Sequence, residues 1–169
     1  MGNIALIGMP GAGKSTVGVV LAKRLGYRFQ DSDLVIQDTY GRLLHELIEE
    51  RGIEGFLEIE EWINSGLDCD RCVIATGGSA VYGQKAMRHL SEIAKVVYLK
   101  LPYGEIEERI GDLNARGVTV RPGQTLRDLY EERTPLYEKY ADLTVECSGL
   151  SIREIVTRIA DTCGQRVQE

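Results

Sequence analysis

Three observations predict an α/β fold in which a parallel sheet is covered by helices on both faces. Short apolar runs alternate with stretches of helical periodicity along the 169 residues, the pattern of successive βα units. Two of the runs, Val73-Ile74-Ala75 and Val96-Val97-Tyr98-Leu99, are continuously apolar, as strands buried on both faces must be. The first run, Asn3 to Ile7, passes into a glycine turn and then a helical pattern. That turn, residues 8–15, reads Gly-Met-Pro-Gly-Ala-Gly-Lys-Ser. It carries every fixed position of the phosphate-binding loop G-x-x-x-x-G-K-[ST] in the strand–turn–helix setting the motif requires.

The elements follow in order. Strands are expected at 3–8, 28–31, 73–76, 95–101 and 142–146. Helices are expected at 14–26, 33–50 with a break near Gly41, 55–66, 83–91, 103–112, 125–139 and 151–163. In the first helix Val17, Val20, Leu21 and Leu25 recur at helical spacing, and Trp62 stands at helical spacing from Ile59 and Ile63, which reads as core or pocket wall. Right-handed crossovers fix most of the topology. One stretch breaks the alternation. Residues 111–125 contain Gly111, Gly117, Pro122 and Gly123 with Arg116 and Arg121, and the segment is long for an idle connection. It reads as a lid carrying arginines toward a transferring phosphate. No repeat or low-complexity tract is present, and the length fits one domain over 1–169.

Composition excludes several function classes. A net charge of −6 with no basic stripe disfavours nucleic-acid binding. No apolar run is long enough to span a membrane, and the N-terminus enters a strand without a leader pattern. A cytoplasmic protein is therefore expected. Of the four cysteines, Cys69 and Cys72 form a C-x-x-C, but no second pair supplies the remaining ligands of a structural zinc. They read as incidental reduced thiols. His45 and His89 fall on polar helix faces and are given no role.

The candidate chemistry clusters at the carboxyl ends of the expected strands, where open α/β sheets place their ligands. The backbone of Gly11, Ala12 and Gly13, with Lys14, Ser15 and Thr16 opening the helix, is assigned to the phosphates of ATP. Lys14 would reach the β- and γ-phosphates and the Ser15 hydroxyl would ligate Mg²⁺. Asp31-Ser32-Asp33 ends the second strand, so one carboxylate can help hold the metal through water and the other can act on an attacking hydroxyl. The alternative for this stretch is a helix cap provided by Ser32 or Asp33. Thr76-Gly77-Gly78-Ser79 ends the third strand, where paired glycines admit a ligand close to the backbone. Arg133 offers a guanidinium for a carboxylate or phosphate, although beside two glutamates it also fits a surface ion pair.

Taken together, these features resemble the shikimate kinase family of small-molecule P-loop kinases. The resemblance runs from about residue 3 to residue 160: the P-loop, Asp31-Ser32-Asp33, Phe56 and Glu60, Gly77-Gly78, Arg121-Pro122, and Glu132-Arg133-Thr134-Pro135-Leu136-Tyr137. It implies a five-stranded sheet in the order 2-3-1-4-5, transfer of the ATP γ-phosphoryl group to a small hydroxylated acceptor with shikimate favoured, and a monomer. It further implies that Asp31 lies near Mg²⁺ and that Asp33 binds the acceptor hydroxyl as its base. Gly77, Gly78 and Arg133 would bind the acceptor, Arg121 would close on the phosphates, Arg109 would stack on adenine, and Cys147 to Ser151 would form the adenine loop. The sequence departs from the family pattern at three places. Leu57 stands where the family has a second carboxylate-binding arginine, Ser79 replaces a third glycine, and Gly123 replaces the leucine of Arg-Pro-Leu. Loss of a charged bidentate contact weakens carboxylate binding by roughly 2–5 kcal/mol unless another group replaces it. Two alternatives therefore stand beside shikimate: a paralogous, gluconate-kinase-like enzyme for another hydroxylated acceptor, and a nucleotide-binding regulatory protein without catalysis. The presence of Lys14, Asp33, Arg121 and Arg133 argues against the second.

Overall fold

Five short strands, apolar at the centre of the sheet and more polar at its edges, assemble into one parallel sheet in the order β2-β3-β1-β4-β5. A computed structural model of the chain describes residues 2–111 and 118–163. Its strands are β1 (Asn3–Ile7), β2 (Arg28–Asp31), β3 (Cys72–Ala75), β4 (Ala94–Lys100) and β5 (Leu143–Glu146). Its helices are α1 (Lys14–Leu25), α2 (Ser32–Tyr40), α3 (Leu44–Ser65), α4 (Gln84–Ile93), α5 (Tyr103–Ile110), α6 (Leu126–Tyr140) and α7 (Ile152–Cys163), with a 3₁₀ turn at Ala80–Tyr82. β1 is central, pairing Ala5 with Ile74 on one side and with Val96 on the other. All five of its residues are buried, as expected of a strand with helices over both faces. Among the described residues no helix is long and apolar enough to cross a membrane.

The expected break near Gly41 is present: α2 ends there with Gly41 in the left-handed region. The expected gap between 50 and 55 is a kink inside α3, where Gly52 adopts φ 71° and ψ 174°. Two expectations about side chains need correction. Trp62 is 65% exposed and is neither core nor pocket wall. In α3 the buried arc runs through Phe56, Ile59, Glu60 and Ile63, and Trp62 falls just outside it. Val20 is 38% exposed, because the buried face of α1 is Val17, Gly18, Leu21 and Ala22. The lid expected over 111–125 falls partly on 112–117, which includes Arg116 and Gly117 and lies outside the described residues.

Candidate active site

The order of the strands decides which loops meet. Because β1, β3 and β2 are neighbours, their carboxyl ends bring Gly8–Thr16, Thr76–Ser79 and Asp31–Asp33 side by side. A cleft of about 300 Å³ opens there. Its walls include Gly11, Gly13, Lys14, Ser15 and Thr16 of the P-loop, Asp33, Phe56 and Glu60, Gly77 to Ser79, Thr119 and Arg133. Ala12 is buried rather than lining the cleft.

The P-loop begins where the backbone leaves β1. Gly8 has φ +149°, and a Cβ there would stand 2.8 Å from the Leu99 carbonyl of β4, so only glycine allows the chain to turn away. Gly13, in the left-handed region, precedes α1 without a side-chain cap, leaving the first N–H groups of α1 directed at the cleft. Lys14 is buried, and its Nζ donates to the carbonyls of Gly8 (2.6 Å) and Met9 (2.8 Å). Burial lowers its pKa to about 8, partly offset by Asp33.

Asp31 has two partners. Its Oδ1 accepts from the backbone N–H of Asp33 at 2.9 Å, and its Oδ2 accepts from the Ser15 hydroxyl at 2.7 Å. Asp31, rather than Ser32 or Asp33, is therefore the cap of α2, which corrects the capping alternative. The capping contact leaves Asp33 in the first turn of α2 and lining the cleft. Burial, and secondarily Asp31, push the Asp33 carboxyl up to about 6, while Lys14 acts in the opposite direction. Ser15 and Asp31 present hard oxygen donors, the chemistry suited to Mg²⁺. Among the described residues no cluster of three or more His, Cys, Asp or Glu forms a self-sufficient metal site. A Mg²⁺ ion would therefore take its remaining ligands from phosphates and water.

The opposite wall is centred on Arg133, which is 1% exposed. Its Nε donates to the Tyr82 hydroxyl at 3.2 Å and its Nη2 to the Thr119 carbonyl at 2.8 Å. Its Nη1 lies 3.1 Å from where a Cβ on Gly78 would stand. No ion pair of the described residues involves Arg133 or Lys14. Two buried cations without carboxylate partners thus face one cleft, an arrangement that is costly unless an anion fills it. Gly78 is fixed from below, since its carbonyl accepts from the buried Tyr137 hydroxyl at 2.6 Å.

Other sequence-predicted residues fall elsewhere. Arg121 pairs at the surface with Glu54 (3.2 Å) and Glu132 (3.4 Å) and is not among the cleft-lining residues. Exposed Arg109 donates to the Gly11 carbonyl at 3.4 Å, beside the P-loop. The 147–151 segment follows β5, where Ser148 bonds Glu105 of α5. Leu57 is half-buried and does not line the cleft. Cys69 and Cys72 are free thiols. His89 bonds the Leu67 carbonyl at 2.6 Å.

Sequence reasoning gave Glu60 no chemical role. It is 2% exposed and lines the cleft. Its Oε1 accepts from the Ser79 hydroxyl at 2.6 Å, and burial raises its carboxyl to about 7. The available signal was an acid at position 60, within the otherwise apolar arc of Phe56, Ile59 and Ile63.

A P-loop, a strand-end aspartate and a buried arginine around one small cleft define a P-loop small-molecule phosphotransferase. A model of the shikimate kinase family matches residues 10–164. The shikimate kinase of Pseudomonas fluorescens is 38% identical over 171 residues, covering 98% of each chain. A solved structure of the Acinetobacter baumannii shikimate kinase in complex with shikimate is 34% identical, with a TM-score of 0.87 over 99% of this chain and 96% of that one. That of Aquifex aeolicus is 27% identical, with a TM-score of 0.76 over 96% and 99%. The chain belongs to the shikimate kinase family, whose members are ATP-dependent kinases.

Proposed function

We propose that this chain transfers the γ-phosphoryl group of ATP to a hydroxyl of shikimate. The observation that carries this reading is Arg133, a buried cation without a carboxylate partner, in the same cleft as Lys14 and Asp33. A small acceptor bearing both a carboxylate and hydroxyls meets both ends of that cleft.

In this reading the N–H groups of the P-loop and the start of α1 hold the phosphates, and Lys14 leaves the Gly8 and Met9 carbonyls to neutralise charge on the transferring group. When bound, Mg²⁺ supplies charge neutralisation of the phosphate oxygens, with Ser15 and Asp31 holding it. Asp33 orients the attacking hydroxyl and accepts its proton. Arg133 fixes the acceptor carboxylate, so most of the rate enhancement is positioning. Arg121 sits in two surface ion pairs of the kind worth only about 0–1 kcal/mol, so little opposes its moving to the phosphates as part of a lid spanning about 111–125. Arg109 and the 147–151 segment serve the adenine. The chain acts as a single-domain cytoplasmic monomer.

The test is ADP release from Mg·ATP, measured with shikimate and in parallel with a panel of hydroxy acids and polyols. Shikimate-dependent turnover with a millimolar or lower KM is expected. Turnover with gluconate or another panel member, and none with shikimate, would reassign the acceptor and make Leu57 and Ser79 its specificity determinants. Nucleotide binding without any acceptor-dependent turnover would leave a regulatory protein.

A further inference from the structure

Glu60 is a buried ionisable group in the cleft that phosphoryl transfer, as read above, does not use. Its two oxygens have different surroundings. Oε1 accepts the Ser79 hydroxyl at 2.6 Å. Oε2 lies 2.8 Å from where a Cβ on Gly77 would stand, and Asp33 Oδ1 lies at the same 2.8 Å from that point. The two carboxyl oxygens are thus no more than twice that distance apart. Over the neighbouring residue, Pro10 Cδ lies 2.6 Å and Arg133 Nη1 3.1 Å from a Cβ on Gly78. The Gly77-Gly78 backbone is therefore a ledge with the Asp33 and Glu60 carboxyls over one residue, and Pro10 and the Arg133 guanidinium over the other. No ion pair of the described residues includes Glu60. A second carboxylate so close to Asp33, facing an acceptor that itself carries a negative charge, would repel both.

In the neutral acid that burial favours, the oxygen that accepts from Ser79 is the carbonyl oxygen, and the acid proton then sits on Oε2, at the ledge. We infer that Glu60, held by Ser79, presents its Oε2–H to the acceptor's carboxylate and forms with Arg133 a two-part clamp, taking the place of the arginine that Leu57 displaces. Glu60 is then a specificity-determining residue and Ser79 the positioning residue that orients it. The inference rests on the shikimate reading. The groups facing Glu60 are Ser79 from the loop after β3, Asp33 from α2, Arg133 from α6 and Lys14 from α1. Burial, and to a smaller degree Asp33, favour the neutral acid, while the Ser79 bond, Arg133 and Lys14 oppose it. An acceptor carboxylate bound at the ledge adds to the first group.

The test is the KM for shikimate from pH 6 to 9 in the wild-type protein, Glu60→Gln and Ser79→Ala. In wild type the KM is lowest near pH 6. Above about pH 7 it rises, approaching about tenfold per pH unit as the donor is lost. Glu60→Gln, whose amide keeps a donor at every pH, flattens that rise. Ser79→Ala raises the KM severalfold at pH 6 with kcat retained, and Ser79→Thr restores it. A Glu60→Gln profile that climbs in parallel with wild type overturns the inference. So does a Glu60→Gln KM at pH 6 raised as far as that of Glu60→Ala, which would mean that Glu60 acts as a carboxylate. Absence of shikimate turnover in wild type at every pH is a different failure, that of the functional reading itself.

Discussion

The P-loop half of the cleft is built from one stretch of chain, and the acceptor half from four. Gly8 to Thr16 supplies backbone N–H groups, a lysine and a hydroxyl, and needs only Asp31 from elsewhere, at 2.7 Å from Ser15. The acceptor half draws Asp33 from α2, Phe56 and Glu60 from α3, Gly77 to Ser79 from the loop after β3, and Arg133 from α6. A site made of backbone has few side chains to exchange, and the P-loop here retains every fixed position. A site made of scattered side chains can change one residue at a time. Of the acceptor-side departures, Ser79 lies in that half and Leu57 stands beside it on α3, next to Phe56.

The largest expected effect separates the halves at their junction. Asp33→Asn keeps the size of the side chain and the backbone N–H bond to Asp31 but cannot take a proton. Turnover should fall by about 10²- to 10⁴-fold, with ATP affinity in a direct binding titration changing little. Turnover within tenfold of wild type would mean that another group accepts the proton.

Arg133→Lys is expected to come next. Lysine keeps the charge but cannot reproduce the fork that reaches the Tyr82 hydroxyl and the Thr119 carbonyl together. The KM for the acceptor should rise roughly 30-fold or more, as for a broken buried charge contact. The KM for ATP should stay near wild type. Equal losses on both substrates would show that the two halves are not energetically separate.

A smaller effect concerns stability. The Glu60 carboxyl is raised from 4.5 to about 7, so the unfolded chain releases this proton before the folded one. The stability contributed by the neutral acid is complete below about pH 4.5 and is lost as the pH rises through about 7. Glu60→Gln removes that loss. Above pH 8 the variant should be more stable than wild type by up to about 3 kcal/mol, and near pH 4.5 the two should melt alike. A Tm difference that does not change with pH would place an ionised Glu60 in the folded protein.

How much of each half was legible follows from the same contrast. The strands β1, β3 and β4 and the P-loop were readable because their signals are local: apolar runs, Gly8, Gly13, and Lys14-Ser15 opening a helix. Asp33 was readable from its place at a strand end. The state of Glu60 was not, because it follows from burial and from contact with Ser79, which lies 19 residues away and meets it only once the 3₁₀ turn at Ala80–Tyr82 packs against α3. Arg133 beside Glu131 and Glu132 fitted a surface ion pair as well as a ligand contact. Its burial, and its bond to a carbonyl 14 residues earlier, exclude the surface ion pair. Trp62 misled because its spacing from Ile59 suited a helix face, while the arc that packs is set by Phe56, Glu60 and Ile63.

The smallest expected effect tests whether the acceptor half can be returned to the family pattern. Position 57 is one helical turn before Glu60 on α3, close enough for side chains three apart to meet. It does not itself line the cleft, so Leu57→Arg has to reach the acceptor by extending along that turn. An arginine there would favour the ionised form of Glu60 and offer its own donors instead. The KM for shikimate should fall, by about tenfold or less, given the partial exposure of the site. The dependence of that KM on pH above 7 should weaken in the same variant, since the donor no longer titrates. A KM that is unchanged or higher would mean that this wall is shaped for a different acceptor. A lower KM that keeps the wild-type pH profile would mean that the arginine acts without displacing the Glu60 proton.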